Sequence, residues 1–185
     1  MCLTVVLVPF PVFAQEEAAE PEDLGSQLLT AVREGETRTV SRLLEDGADA
    51  NMLLESGMPI LSFAVIKGEE DIVTALVESG ASIEATDKTG ATALMYAAQF
   101  DRDAIVDAMI ERGANVNAAD SLGWTPLIRA VIGGNVEAVR SLMAAGADVN
   151  AIDFFGRTAV RVAEGRDLDE IVAVLNGTAP EPEAD

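Results

Sequence analysis

One interval constrains this chain more than any other feature: residues of the same kind return every 33 positions. Ala31, Ala64, Ala97, Ala130 and Ala163 form one column, and Leu28, Leu61, Leu94, Leu127 and Val160 a second. Val40, Val73, Val106, Val139 and Val172 form a third, and Leu43, Leu76, Met109, Leu142 and Leu175 a fourth. Gly47, Gly80, Gly113 and Gly146 complete the register. A fixed period of this length implies stacked supersecondary units, each burying its apolar face on its neighbours. Leu94 and Ala97 lie three apart and so share one face of a short helix, where Ala lets a neighbouring helix come close. Val106 and Met109 repeat that spacing on a second helix, with Ile105 and Ile110 widening the stripe. Thr92, Thr125 and Thr158 stand where the first helix needs an N-cap, and Ser26 takes that role in the first unit. Pro126 follows its cap at a position whose missing N–H costs nothing, and Gly113 supplies a left-handed residue after the second helix. The predicted unit is helix, short turn, helix and extended loop. The fold class is all-α, a solenoid of about five helix-turn-helix repeats with short β-hairpin loops.

Composition decides what fills such a stack. Apolar residues make up 49% of the 185, but aromatics only 4%, so the core must be built from Ala, Val, Leu, Ile and Met. Asp and Glu number 32 against 12 Lys and Arg, a net charge of -20. That field repels a phosphate backbone and an anionic membrane surface, so neither nucleic acid nor lipid is an expected partner. It steers a protein carrying a basic patch inward, and it also keeps an Ala-rich stack soluble.

Several segments carry a family resemblance. Asp120-Ser121-Leu122-Gly123-Trp124-Thr125-Pro126-Leu127, followed by Ala130, Gly134 and Gly146-Ala147-Asp148-Val149-Asn150-Ala151, resembles the ankyrin repeat. Asp87-Lys88-Thr89-Gly90-Ala91-Thr92-Ala93-Leu94 and Asp153-Phe154-Phe155-Gly156-Arg157-Thr158-Ala159-Val160 are similar. The resemblance covers about residues 24–176, with repeats at 24–53, 54–86, 87–119, 120–152 and 153–176. The family's usual His after the Pro-Leu pair is replaced by Leu29, Ser62, Met95, Ile128 and Arg161, so fewer polar bonds between repeats are expected. Leu54 in place of Asp and Pro59 in place of Thr argue against a regular hairpin in the second repeat. The first repeat lacks the hairpin motif and reads as an N-terminal cap. The fifth departs at Glu164 and Asp167 and reads as a C-terminal one.

The flanks differ in character. Residues 3–14 are uncharged, too short for the roughly 20 residues of a membrane-spanning helix and interrupted by Pro9 and Pro11. With Val12-Phe13-Ala14 as a small-residue cleavage site, residues 1–14 read as a signal peptide truncated of its basic start. Residues 15–23 form an acidic linker, and 177–185 a disordered acidic tail. The one cysteine, Cys2, lies in the leader, so a processed chain is thiol-free, which suits an oxidising periplasm. A periplasmic or secreted bacterial protein of this family is the expectation, and a cytoplasmic one if the leader is not a signal.

The sequence holds little catalytic chemistry. With no His there is no Ser-His-Asp or Cys-His arrangement and no His-ligated zinc. Asp87, Asp120 and Asp153 recur in register at hairpin positions, where a turn role explains them. Asp148, Asn150 and Asp153 offer oxygens without the spacing of an EF-hand loop, so no metal or cofactor is expected. The resemblance implies a module that binds a protein, as a monomer, through its hairpin tips and the concave face of its first helices. Positions matching those variable sites are Lys88, Thr89, Ala91, Gln99 and Phe100, then Ser121, Leu122, Trp124, Ile132 and Gly133, then Phe154, Phe155, Arg157 and Arg166, with Tyr96 and Arg129 beside them. Five of the chain's eight aromatics (Tyr96, Phe100, Trp124, Phe154 and Phe155) fall on this strip, beside arginines that binding hot spots favour. The predicted contact residues are Tyr96, Phe100, Leu122, Trp124, Arg129, Ile132, Phe154, Phe155 and Arg157. The alternatives are a self-associating scaffold and a carboxylate-based, metal-dependent enzyme.

Overall fold

A computed structural model of the chain describes residues 23–178; the leader, almost all of the acidic linker and the tail beyond Thr178 lie outside the described residues. Among the described residues ten helices follow one another in pairs: α1 (Leu24–Glu34) and α2 (Thr37–Glu45), α3 (Ile60–Lys67) and α4 (Glu70–Glu78), α5 (Ala93–Gln99) and α6 (Asp103–Glu111), α7 (Pro126–Gly133) and α8 (Val136–Ala144), α9 (Ala159–Glu164) and α10 (Asp169–Leu175). Odd-numbered helices pack on one another as one row and even-numbered helices as a second, with each odd helix also packed on its own even partner. The result is a two-layer, all-α solenoid. Among the described residues no helix is long and apolar enough to cross a membrane.

The repeating columns become the core. Ala31, Ala64, Ala97, Ala130 and Ala163 are all buried, as are Leu28, Leu61, Leu94 and Leu127 on the same helices. Val40, Val73, Val106 and Val139 are buried on the even row with Leu43, Leu76, Met109 and Leu142. The fifth repeat departs from this, as an end repeat should: Val160 and Val172 are only half-buried, and Ile171 and Val174 are buried on α10.

Helix starts follow from the caps. Thr92, Thr125 and Thr158 each sit in extended backbone, and their hydroxyls accept from the N–H of Met95, Ile128 and Arg161. Ser26 does not play this part in the first repeat. Asp23 is the N-cap, and its carboxylate accepts both the N–H and the hydroxyl of Ser26, because the chain turns helical at Leu24. Between the two helices of every repeat stands one left-handed residue: Gly35, Gly68, Asp101, Gly134 and Asp167. Glycine takes that conformation without steric cost, and Asp is among the few other residues that tolerate it.

A further expectation fails. The second repeat does close a hairpin: Leu53 and Pro59 form an antiparallel bridge, Leu54 N–H donates to Met58 O (2.9 Å) and Gly57 N–H to Leu54 O (2.7 Å). Backbone bonds close this turn without a carboxylate, and the Ser56 hydroxyl also accepts from Met58 N–H. Polar bonds also join the repeats. Packing the first helices closely brings their C-terminal carbonyls within reach of the next repeat, and orphan carbonyls need donors. Arg102 donates to Ile66 O, Asn135 to Ala98 O, and Arg166 to Val131 O and Ile132 O. A second set links the loops. Asn51 bridges Gly80 O and Ser82 N–H, Asn117 bridges Gly146 O and Asp148 N–H, and Glu84 accepts from Asn115 N–H.

The tightest approach lies between the third and fourth repeats. A Cβ on Gly133 would stand 2.4 Å from the carbonyl oxygen of Gln99, so only glycine fits there. Gly133→Ala should therefore lower the unfolding free energy by about 1–3 kcal/mol. Gly165→Ala, whose Cβ would meet nothing nearer than 3.4 Å, should change it far less. Urea titration of both variants measures the difference.

Candidate protein-binding surface

One carboxylate organises each hairpin tip of the last three repeats. Oδ1 of Asp87 accepts from Thr89 N–H (2.8 Å) and Ala91 N–H (3.0 Å). Asp120 does the same with Leu122 (2.8 Å) and Trp124 (2.9 Å), and Asp153 with Phe155 and Arg157 (2.9 Å each). The second oxygen of each takes a side chain: the Tyr96 hydroxyl on Asp87, the Arg129 guanidinium on Asp120, and both Nε and Nη2 of Arg157 on Asp153. Successive tips are stitched by backbone bonds of 2.8 Å, Ser121 N–H to Thr89 O and Phe154 N–H to Leu122 O. Leu54 in the second repeat has no carboxylate for this role. These three aspartates are accordingly turn anchors. Asp148 likewise accepts from Asn150 N–H, and among the described residues no group of three or more His, Cys, Asp or Glu is arranged to hold a metal ion.

The tips have an electrostatic signature. Burial alone would raise the carboxyls of Asp87 and Asp153, but the hydrogen bonds they accept outweigh it and hold both below the usual carboxylate value. On Asp87 these come from Tyr96, Thr89 and Ala91, and on Asp153 from Arg157 and Phe155. Burial, with the hydrogen bond and charge of Asp87, pushes the Tyr96 hydroxyl up to about 12, so it remains a donor.

The predicted contact residues divide into an exposed strip and its support. Phe154 is 77% exposed, Phe155 64%, Phe100 42% and Leu122 39%, and Arg157 is exposed beside them. Phe154 and Phe155 meet edge to face with centroids 5.7 Å apart, and the Arg157 guanidinium lies 5.0 Å from the Phe155 ring. Tyr96, Trp124 and Ile132 are half-buried, and Tyr96 stacks on Phe100 at 6.3 Å.

Arg129 requires a correction. It is only 9% exposed, paired with Asp120, donating to Gln99 Oε1 (2.7 Å), and placed 4.9 Å from the Trp124 ring centroid and 5.9 Å from that of Tyr96. It braces the strip from behind and presents no contact face, because a buried carboxylate demands a buried cation. Ala91, a matched variable position, is also fully buried. Sequence reasoning passed over two exposed residues. Ile152, 63% exposed, stands where the two preceding repeats carry Ala119 and Thr86, and that departure was a readable signal. Arg161 was noted only as a replacement for His, yet it lines a groove of about 380 Å³ with Trp124, Ile132, Arg157, Val162 and Arg166.

Paired helices, carboxylate-anchored tips and an exposed aromatic strip together define a helical repeat solenoid. Family models confirm it: ankyrin repeats (3 copies) match residues 28–120 and ankyrin repeats (many copies) match 109–163. The chain belongs to the ankyrin-repeat family, whose repeats are generally protein–protein interaction modules and typically not enzymes. No curated protein matches it.

Two outcomes follow from the tips. Arg129→Ala strands the Asp120 carboxylate in the interior and should cost about 3 kcal/mol of stability, read by chemical denaturation. Asp87 and Asp153 titrate lower folded than unfolded, so their contribution is complete above the unfolded value near 3.8 and is lost as pH falls through the folded values. Melting temperature should hold from pH 7 to about 5 and drop below about 4. Tyr96→Phe, which removes a donor to Asp87, should shrink that drop.

Proposed function

We propose that this chain is a rigid protein-binding module whose contact surface is the hairpin tips and the free first-helix face of repeats three to five. The observation that carries this reading is where apolar surface is left uncovered. Of seven exposed large hydrophobic residues among the described residues, Phe100, Leu122, Ile152, Phe154 and Phe155 belong to this one region, leaving Leu24 and Leu53 elsewhere. A monomer seldom exposes such a patch without using it. The stitched tips and the braced Arg129 hold the aromatic anchors before a partner arrives, so little conformational freedom is lost on docking. The net charge of -20 favours approach by a partner with a basic patch, while the aromatic strip supplies contact energy. The module acts as a monomer and outside the cytoplasm, a placement supported by the uncharged run at 3–14 and the confinement of the only thiol to Cys2.

The test is a double substitution, Phe154→Ser with Phe155→Ser, against Leu53→Ser as a control away from the surface. Both variants should keep unfolding free energies within about 0.5 kcal/mol of the parent, since exposed side chains contribute little. Only the double variant should lose the proteins retained by the immobilised chain from a periplasmic extract. Retention of the same proteins by the double variant would place the surface elsewhere.

A further inference from the structure

The groove between α7 and α9 has a charge opposite to that of the chain around it. Trp124, Ile132 and Val162 give it apolar walls, Arg157, Arg161 and Arg166 give it three guanidinium groups, and among the described residues no carboxylate lines it. Those are three of only 12 basic residues in a chain with 32 acidic ones. Their states differ. Arg157 is engaged twice by Asp153, and Arg166 is fixed at the mouth by the carbonyls of Val131 and Ile132. Arg161 is exposed, and among the described residues its guanidinium takes part in no hydrogen bond or ion pair.

We infer that this groove anchors an acidic peptide segment of the partner, with an aromatic or branched aliphatic side chain against Trp124 and carboxylates on Arg161 and Arg166. This deepens the protein-binding reading and rests on it. The fit is one of charge and shape. A guanidinium held in a fixed position recognises a carboxylate in a two-pronged geometry, and the apolar walls take the side chain between the acids. A basic or neutral segment would instead desolvate Arg161 and Arg166 without a counter-charge. The repulsion of the whole chain does not forbid this contact, because at physiological salt it is screened beyond a Debye length of about 8 Å. A partner basic overall and acidic at this one contact satisfies both fields.

Trp124 is the chain's single tryptophan and lines the groove, so its fluorescence reports occupancy directly. The probe is a blocked peptide, Glu-Glu-Phe-Leu-Glu-Glu, titrated into the full chain beside its Lys-for-Glu counterpart. The acidic peptide should saturate the Trp124 signal, and the basic one should bind at least tenfold more weakly despite the favourable net charge. Arg161→Glu should weaken the acidic peptide at least tenfold, and Arg42→Glu, an equal charge change in the first repeat, should not. Circular dichroism on each variant confirms the fold. Equal or tighter binding of the basic peptide, or no effect of Arg161→Glu, overturns the inference. It is also overturned if Glu181→Ala, Glu183→Ala and Asp185→Ala together shift unbound Trp124 emission and tighten the acidic peptide tenfold, since the chain's own tail is then the occupant. A Trp124 signal that follows protein concentration along with sedimentation would assign the groove to a second copy and overturn it likewise. If the acidic peptide fails while the Phe154/Phe155 double variant still loses its captured proteins, the surface stands and the groove alone is misread. Failure of both removes the surface as well.

Discussion

The distance between successive first helices governs this molecule. Ala31, Ala64, Ala97, Ala130 and Ala163 are buried in the first-helix row, where a methyl group is all that each presents. Gly133 reduces even that against the Gln99 carbonyl. Packing so close shortens the gap between the end of one repeat's first helix and the side chains of the next. The carbonyls of Ile66, Ala98, Val131 and Ile132 thereby find donors in Arg102, Asn135 and Arg166. Apolar packing and polar satisfaction are one arrangement here, since the bonds exist only because the helices are near enough to make them.

The same close stacking positions the surface. Where an aspartate anchors a tip, the next tip can be joined to it through the backbone, as Thr89 is to Ser121 and Leu122 to Phe154. Both bonds fall within repeats three to five, which also carry the exposed aromatic side chains of the strip. Rigidity and stickiness coincide. Arg129 shows how the interior serves this outcome: between Asp120, Gln99, Trp124 and Tyr96 it fixes two aromatic side chains from behind. The groove beside it brings the guanidinium groups of Arg157, Arg161 and Arg166 to the strip.

Much of the architecture was legible in the residues. Periodicity alone placed both helices of each repeat, and Thr92, Thr125 and Thr158 marked helix starts because a hydroxyl acts only on N–H groups two or three residues away. Ser26 misled because Asp23 offered the same kind of oxygen three residues earlier. The second hairpin was judged by its missing aspartate, yet backbone bonds around the left-handed Gly57 close it, and Gly57 stands in register with Gly90, Gly123 and Gly156. Asp101 and Asp167 fall in the same 33-residue column as Gly35, Gly68 and Gly134, but that both aspartates take the left-handed conformation there is shown only by the backbone.

By itself, then, the sequence determined the repeat, its helical character, the buried columns and the acid-anchored tips, because each depends on neighbours a few residues or one period away. Only the tertiary structure decided that Arg129 turns inward and Arg161 outward, that Ile152 joins the exposed strip, and that Arg157, Arg161 and Arg166 of the fifth repeat line one groove with Trp124 and Ile132 of the fourth. Those outcomes depend on what surrounds each side chain once the repeats stack, as Gln99 and Tyr96 of the third repeat surround Arg129 of the fourth. A single period cannot encode such surroundings, because they are made by repeats that differ.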